Sequence, residues 1–204
     1  MAPILDFNES LKKGMLFDTR DGQSYQVVKI GKQIWLAENF RYLPSLEKGD
    51  KYCNSWVYNN DNSYLEKGYG RLYDWFTAMS IAPEGWKLPS SEDFNELRDF
   101  IIKDNKLGKG SYQAGSYLKS VNGWDPWAGI KPNNDKYGFN AKPAGYYYND
   151  SSYFNNASCS TSFWSATEIG NNCWYLFYFG EGFRDYSHDI YGCTNSVRLI
   201  KDSL

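Results

Sequence analysis

Thirty-eight of the 204 residues are Trp, Tyr or Phe, and this aromatic load constrains the fold more than any other feature of the sequence. Each such ring buries on the order of 150–250 Å², so a core can close around rings where aliphatic residues are sparse. Rings left facing water in a contiguous group mark a binding surface rather than a solvent face. Disordered chains lack this chemistry. A chain of this length buries roughly 70% of its unfolded surface and needs no disulfide or metal to hold a core. No repeat, linker or low-complexity tract interrupts it, which predicts one α+β domain over residues 14–204 with an N-terminal extension at 1–13.

Charge and composition exclude several classes of function. The net charge is −2 and the isoelectric point is near 5.5, with no basic block. Nucleic-acid partners and polybasic membrane docking are therefore not expected. No apolar run approaches the length of a membrane span, so direct membrane insertion is not expected either. The stretch MAPILDFNESLKKG has no signal-peptide pattern. A single histidine, His188, leaves no basis for multi-histidine metal sites or His-dependent catalysis. Cys53, Cys159, Cys173 and Cys193 contain no C-x-x-C pair, which argues against zinc and thioredoxin-type chemistry and leaves disulfides and free thiols both open. No metal or other cofactor is expected.

Local patterns predict the elements. Strands are expected at 17–20, 24–30 and 33–37, joined by tight turns at Asp21-Gly22 and Gly31-Lys32. Residues 44–69 read as irregular. A helix is predicted over 71–80, with Leu72, Trp75, Phe76 and Met79 at helical spacing on one face. A second is predicted over 90–105, opened by Ser90 as N-cap with Asp93 three residues on and a stripe of Phe94, Leu97, Phe100 and Ile101. Residues 108–160 read as loops and short strands, and further strands are expected at 162–167, 173–179 and 196–201.

Catalytic constellations are absent. Asp185 and Asp189 flank His188, but the spacing suits no established acid–base or metal site, and the segment reads as a solvated polar loop. Glu84, Glu92 and Glu96 read as surface charges or dipole partners near the N-terminus of the second helix. The Gly68-Tyr69-Gly70 triplet lacks the strand and lysine of a phosphate loop. The aromatic clusters are more informative. In 173–179, Trp174, Leu176 and Tyr178 alternate with Tyr175, Phe177 and Phe179, so both faces of one strand are apolar. Such a strand is either sandwiched or exposes a row of rings.

The segment 182–195, GFRDYSHDIYGCTN, is unusual in another way. It contains no Lys, Glu, Gln, Trp or Met, although those types fill 40 of the 204 positions. These are the five types that an Asn codon cannot reach when only its two adenines change. The remaining vocabulary, Tyr among small polar residues, is that of a paratope, giving large contact area at low entropy cost.

Five words occur in order: GKQIWLAEN (31–39), GRLYDW (70–75), GWKLPS (85–90), FWSATE (163–168) and SVRLIKD (196–202). On these the chain resembles the Fibrobacter succinogenes major paralogous domain family over about residues 14–203. That resemblance implies a C-type lectin-like fold of the formylglycine-generating-enzyme type, with two helices, short antiparallel strands and many loops. The closing arrangement, Trp164-Ser-Ala-Thr-Glu168 followed by an aromatic stretch and Ser196-Val-Arg198, also resembles the variable protein of a diversity-generating retroelement. In such proteins adenine-directed mutation rewrites a ligand-binding face.

The second resemblance implies a variable region at about 156–195. It implies ligand-binding positions at Cys173, Tyr175, Phe177, Phe179, Phe183, Asp185, Tyr186, Ser187, His188, Asp189, Tyr191 and Cys193, with Trp174, Leu176 and Val197 as core. The expected activity is non-enzymatic display of an aromatic-rich surface to a protein or glycan ligand, in an extracellular, cell-surface or virion setting. The alternative is a non-diversified surface module with a fixed carbohydrate or structural role. The calcium-and-sugar signature of true C-type lectins is absent, and the cysteines do not form the catalytic pair of formylglycine-generating enzymes. Neither calcium dependence nor that activity is therefore implied.

Overall fold

The computed structural model describes residues 2–44, 54–108, 112–125, 133–148, 153–167, 173–177, 183–186 and 191–202. The chain forms a mixed α+β domain of two sheets. Strands β1 (Ile4–Asn8), β2 (Lys13–Asp18), β3 (Gln23–Ile30) and β4 (Gln33–Leu36) make a meander of consecutive antiparallel hairpins. The turns after β2 and β3 fall at the expected glycines, Gly22 (φ +76°) and Gly31 (φ +61°), whose left-handed conformation suits glycine. The extension at 1–13 supplies the edge strand β1, so it continues the sheet.

Residues 54–80 contain β5 (Ser55–Trp56), a 3-10 turn at Tyr58–Asn60, helix α1 (Ser63–Glu66), β6 (Leu72–Tyr73) and helix α2 (Trp75–Ser80). The helix predicted over 71–80 is therefore shorter than expected. Leu72 and Tyr73 pair with residues of a distant strand, and Asp74 stays extended and accepts a hydrogen bond from the Thr77 amide at 2.7 Å, capping α2. Tertiary pairing overrides the helical spacing, and Met79 ends 43% exposed. The second helix, α3 (Ser91–Asp104), follows β7 (Trp86–Lys87). Its capping box is complete: Ser90 Oγ accepts from the Asp93 amide at 3.2 Å, and the Ser90 amide donates to Asp93 Oδ2 at 2.9 Å. Phe94, Leu97 and Ile101 are fully buried beneath it.

The rest of the chain builds the second sheet. A 3-10 segment at Tyr112–Tyr117 precedes β8 (Ala144–Tyr148), β9 (Tyr153–Ala157), β10 (Ser160–Trp164), β11 (Cys173–Phe177), β12 (Phe183–Tyr186) and β13 (Cys193–Ser196). The order is β12-β11-β10-β8-β13-β6-β5, with β9 paired on β8 and β10 also meeting β13. The final strand, β14 (Ile200–Lys201), crosses back to the first sheet and lies between β4 and β7.

Central strands are covered on both faces. Along β3, Tyr25 and Val27 enter one core with Trp75, Trp86 and Trp164, while Val28 and Ile30 enter another with Trp35, Phe94 and Phe163. Adjacent residues of β10 divide the same way, Phe163 to the second core and Trp164 to the first. Period-2 alternation with large rings on both sides lets a chain poor in aliphatics fill two cores from the same strands.

Candidate functional site

The five sequence words interlock. Trp164 Nε1 donates to the Tyr73 carbonyl at 2.6 Å, and Trp75 Nε1 donates to the Ser165 carbonyl at 2.9 Å. The Ala166 amide donates to the Pro89 carbonyl at 2.8 Å, and the Asp202 amide to the Gly85 carbonyl at 2.9 Å. Asn39 Nδ2 donates to the Tyr69 carbonyl at 2.9 Å, beside the tight approach of Gly70 (φ +71°), where a Cβ would stand 2.7 Å from Asn39 Cβ and from the Phe40 carbonyl oxygen. Arg198 is fully buried. Its guanidinium donates to the Leu36 carbonyl at 3.0 Å, to the Phe139 carbonyl and to Asn39 Oδ1, and lies over the rings of Phe139 and Phe163. Burial pushes its pKa down from the usual arginine value, opposed by the charges of Asp135 and Glu38.

A family model, the Fibrobacter succinogenes major domain, matches residues 28–201. The chain belongs to that family. A search of the curated proteins and one of the solved structures give no match to the chain. What the family domain supports here is a scaffold: four of its tryptophans, Trp35, Trp75, Trp86 and Trp164, are buried, and Val197, expected in the core, is fully buried with them.

Against this scaffold the sequence-expected site separates into groups. Phe179, Ser187, His188 and Asp189 lie outside the described residues. Cys173, Tyr175, Phe177, Asp185 and Tyr186 fall in β11 and β12, whose backbones pair antiparallel at one end of the second sheet. The register sets Cys173 opposite Tyr186 and Tyr175 opposite Arg184, so Cys173, Tyr175, Phe177, Arg184 and Tyr186 occupy one row. Trp174, Leu176, Phe183 and Asp185 occupy the other.

Phe183 corrects the expected outward set. It is 1% exposed, its ring 6.0 Å from that of Phe94 on α3 in an edge-on contact, so this residue is core. Cys193 is a second correction. It is buried in the first core on β13, opposite Tyr148, because the closing strand enters the sheet interior before the Ser-Val-Arg word begins. Cys193 and Cys159 are both free thiols, and burial pushes the Cys159 thiol up, helped by Asp125, which accepts from its Sγ at 3.4 Å. Tyr191 is 72% exposed, with its ring 5.7 Å from Phe76 on α2.

The row of Tyr175 and Phe177 continues onto β10, where Ser162 pairs with Tyr175 and Ser160 with Phe177. Both serines and the intervening Thr161 are fully buried, and their hydroxyls have no hydrogen-bond partner. The Ser-Thr-Ser run before Phe163-Trp164 was visible in the sequence, but nothing in its spacing announced burial. Among the described residues no cluster of His, Cys, Asp or Glu is placed to hold a metal, and no helix is long and apolar enough to cross a membrane.

Proposed function

We propose that the chain is a non-enzymatic binding protein on a C-type lectin-like scaffold, and that it presents a diversified face carried by 173–193 to a protein or glycan on a cell or virion surface. The observation that carries this reading is the register of β11 and β12. It gathers Cys173, Tyr175, Phe177 and Tyr186 on the row opposite Phe183, at the end of a sheet whose strands β6, β10 and β13 carry residues of three of the interlocked words. A rigid framework with variation confined to one row loses little stability when the row changes, and Tyr-rich rows bind many partners at low entropy cost.

The decisive experiment is sequencing the gene's locus. The reading expects a neighbouring reverse transcriptase and a near-copy of the 3′ segment, with differences between the two copies confined to adenines of the template. A locus lacking both sinks diversification. The burial of Phe183 and Cys193 favours the second reading, a module with one fixed ligand, because those two positions do not tolerate free variation. Under that reading, sibling genes would keep the 173–193 segment unchanged.

A further inference from the structure

A cleft beside the β2–β3 hairpin is independent of that face, since none of its lining residues falls in 156–195. Two adjoining hollows of about 430 and 420 Å³ share Lys13, Val28, Asp135 and Gly138 as walls, within the size range of small-molecule sites. The cleft lies between the β2–β3 hairpin, the end of α3 and the loop 133–140. Arg198 holds that loop from beneath through the Phe139 carbonyl.

Its lining combines three chemistries. Among the described residues Lys12 and Lys13 line it with no ion-pair partner, whereas Lys29 is held by Glu9 at 2.8 Å and Lys136 by Asp104 at 2.9 Å. Two carboxylates, Asp104 and Asp135, stand on the same walls. Asp104 accepts from the Tyr137 hydroxyl at 2.7 Å, and Asp135 accepts from the Asn140 amide at 2.7 Å, which leaves acceptor capacity on both. The rings of Phe100 and Tyr137 meet edge-on at 5.8 Å along one wall. Gly138 keeps its side open: a Cβ there would stand 3.8 Å from Val28 Cγ2 and 3.9 Å from Lys13 Cε.

A bare inorganic anion matches the lysines but is repelled by the two carboxylates. A neutral sugar uses the carboxylates and the rings but leaves Lys12 and Lys13 unused. A ligand with one carboxylate, several hydroxyls and a ring with an apolar face uses all three. We propose that this cleft binds an acidic sugar of the uronate class, with Lys12 and Lys13 at its carboxylate, Asp135 accepting from its hydroxyls, and Tyr137 against its C–H face. Lysine serves the carboxylate as a point charge, and acceptors on the opposite wall fix orientation.

The test is titration of the full chain with D-glucuronate, D-glucose and cyclohexanecarboxylate, followed by amide chemical shifts. Glucuronate is expected to saturate, moving the resonances of Lys13, Tyr137 and Gly138, while each of the other two binds at least about tenfold more weakly. Lys13→Glu should weaken glucuronate by about tenfold or more, from loss of one attractive charge and gain of a repulsive one. Lys32→Glu, outside the cleft, should leave it unchanged. If Lys13→Glu does not fold, as read by its circular dichroism melt, Lys13→Gln should show a smaller loss in the same direction. No saturable shift with glucuronate overturns the proposal. So does glucose or cyclohexanecarboxylate binding equally well, or glucuronate affinity indifferent to every folded Lys13 variant.

Discussion

The two sheets are built on opposite plans. The first gains most of its pairings from neighbours in sequence: β1 to β4 are consecutive hairpins whose registers are set by short turns. The second joins local hairpins, β8–β9 and β10–β11–β12 among them, through pairings between distant pieces. In it β10 runs parallel to β8 and to β13, and β6 pairs with β13 from more than a hundred residues away. The interlocked words concentrate where the two plans meet, and β11 and β12 extend outward from that junction. Positions near the junction are therefore over-determined, while β12, at the end of the sheet order, rests on β11. Tolerance to substitution should fall off toward the junction.

That contrast can be broken most sharply at Trp164. Its indole is fully buried and donates to the Tyr73 carbonyl, so Trp164→Ala should cost about 4 kcal/mol in denaturant-derived stability. A loss below about 1 kcal/mol would mean that the junction does not hold the sheets. Phe183 is the informative intermediate. Although it sits in the segment with the restricted vocabulary, Phe183→Ala should cost about 3 kcal/mol because it opens a void beside Phe94. An unchanged melt would return it to the outward set.

Ser90→Ala removes the reciprocal cap of α3 and should lower stability by about 1 kcal/mol, seen as a lower urea midpoint at unchanged m-value. Asp135 gives a pH-gated effect. Burial pushes its pKa above the ordinary aspartate range to about 6, opposed by the Asn140 amide and the charges of Arg198, Lys142 and Lys13. The folded state thus holds its proton more tightly than the unfolded chain. Its contribution favours folding at low pH and is lost as pH rises through about 6. Asp135→Asn keeps an acceptor for the Asn140 amide, so the variant should gain stability relative to the parent at pH 7.5, with the advantage disappearing toward pH 4. Parallel stability curves across that range would contradict the assignment. The smallest effect is expected at Tyr191, where replacement by Ser should shift stability by no more than about 0.5 kcal/mol in a thermal melt, its ring being mostly in water.

The same division explains what was legible in the sequence. The hairpin strands and the capping box of α3 rest on local rules, alternation and a three-residue reciprocal cap, and the sequence patterns place them within a few residues of their observed bounds. Leu72 has the spacing of a helix face with Trp75, Phe76 and Met79. Pairing on both sides, with Asn195 and Ser196 of β13 and with Ser55 and Trp56 of β5, makes Leu72 and Tyr73 a strand. Burial at Phe183 and Cys193 was hidden for a related reason. Phe and Cys belong both to the adenine-reachable vocabulary and to cores, and residue type alone does not say which side of a strand faces inward. The register does, and register between β11 and β12 is not written in either strand alone. The cleft beside Lys13 was equally invisible, because its walls come from residues more than a hundred positions apart.

The position of β14 has a consequence for how such a gene tolerates error. This last strand occupies the slot between β4 and β7, with Ile200 facing Trp35 on one side and Lys87 on the other. Translation must therefore run through the whole of 173–193 before the first sheet can close. A stop codon or frameshift arising anywhere in that stretch leaves two unpaired edges and removes Arg198 from under the 133–140 loop. The product would be an unfolded chain prone to proteolysis or edge-to-edge aggregation. Under the diversified reading proposed above, placing the keystone strand downstream of 173–193 would make folding itself the inspection step, since a chain cut short in that stretch lacks β14.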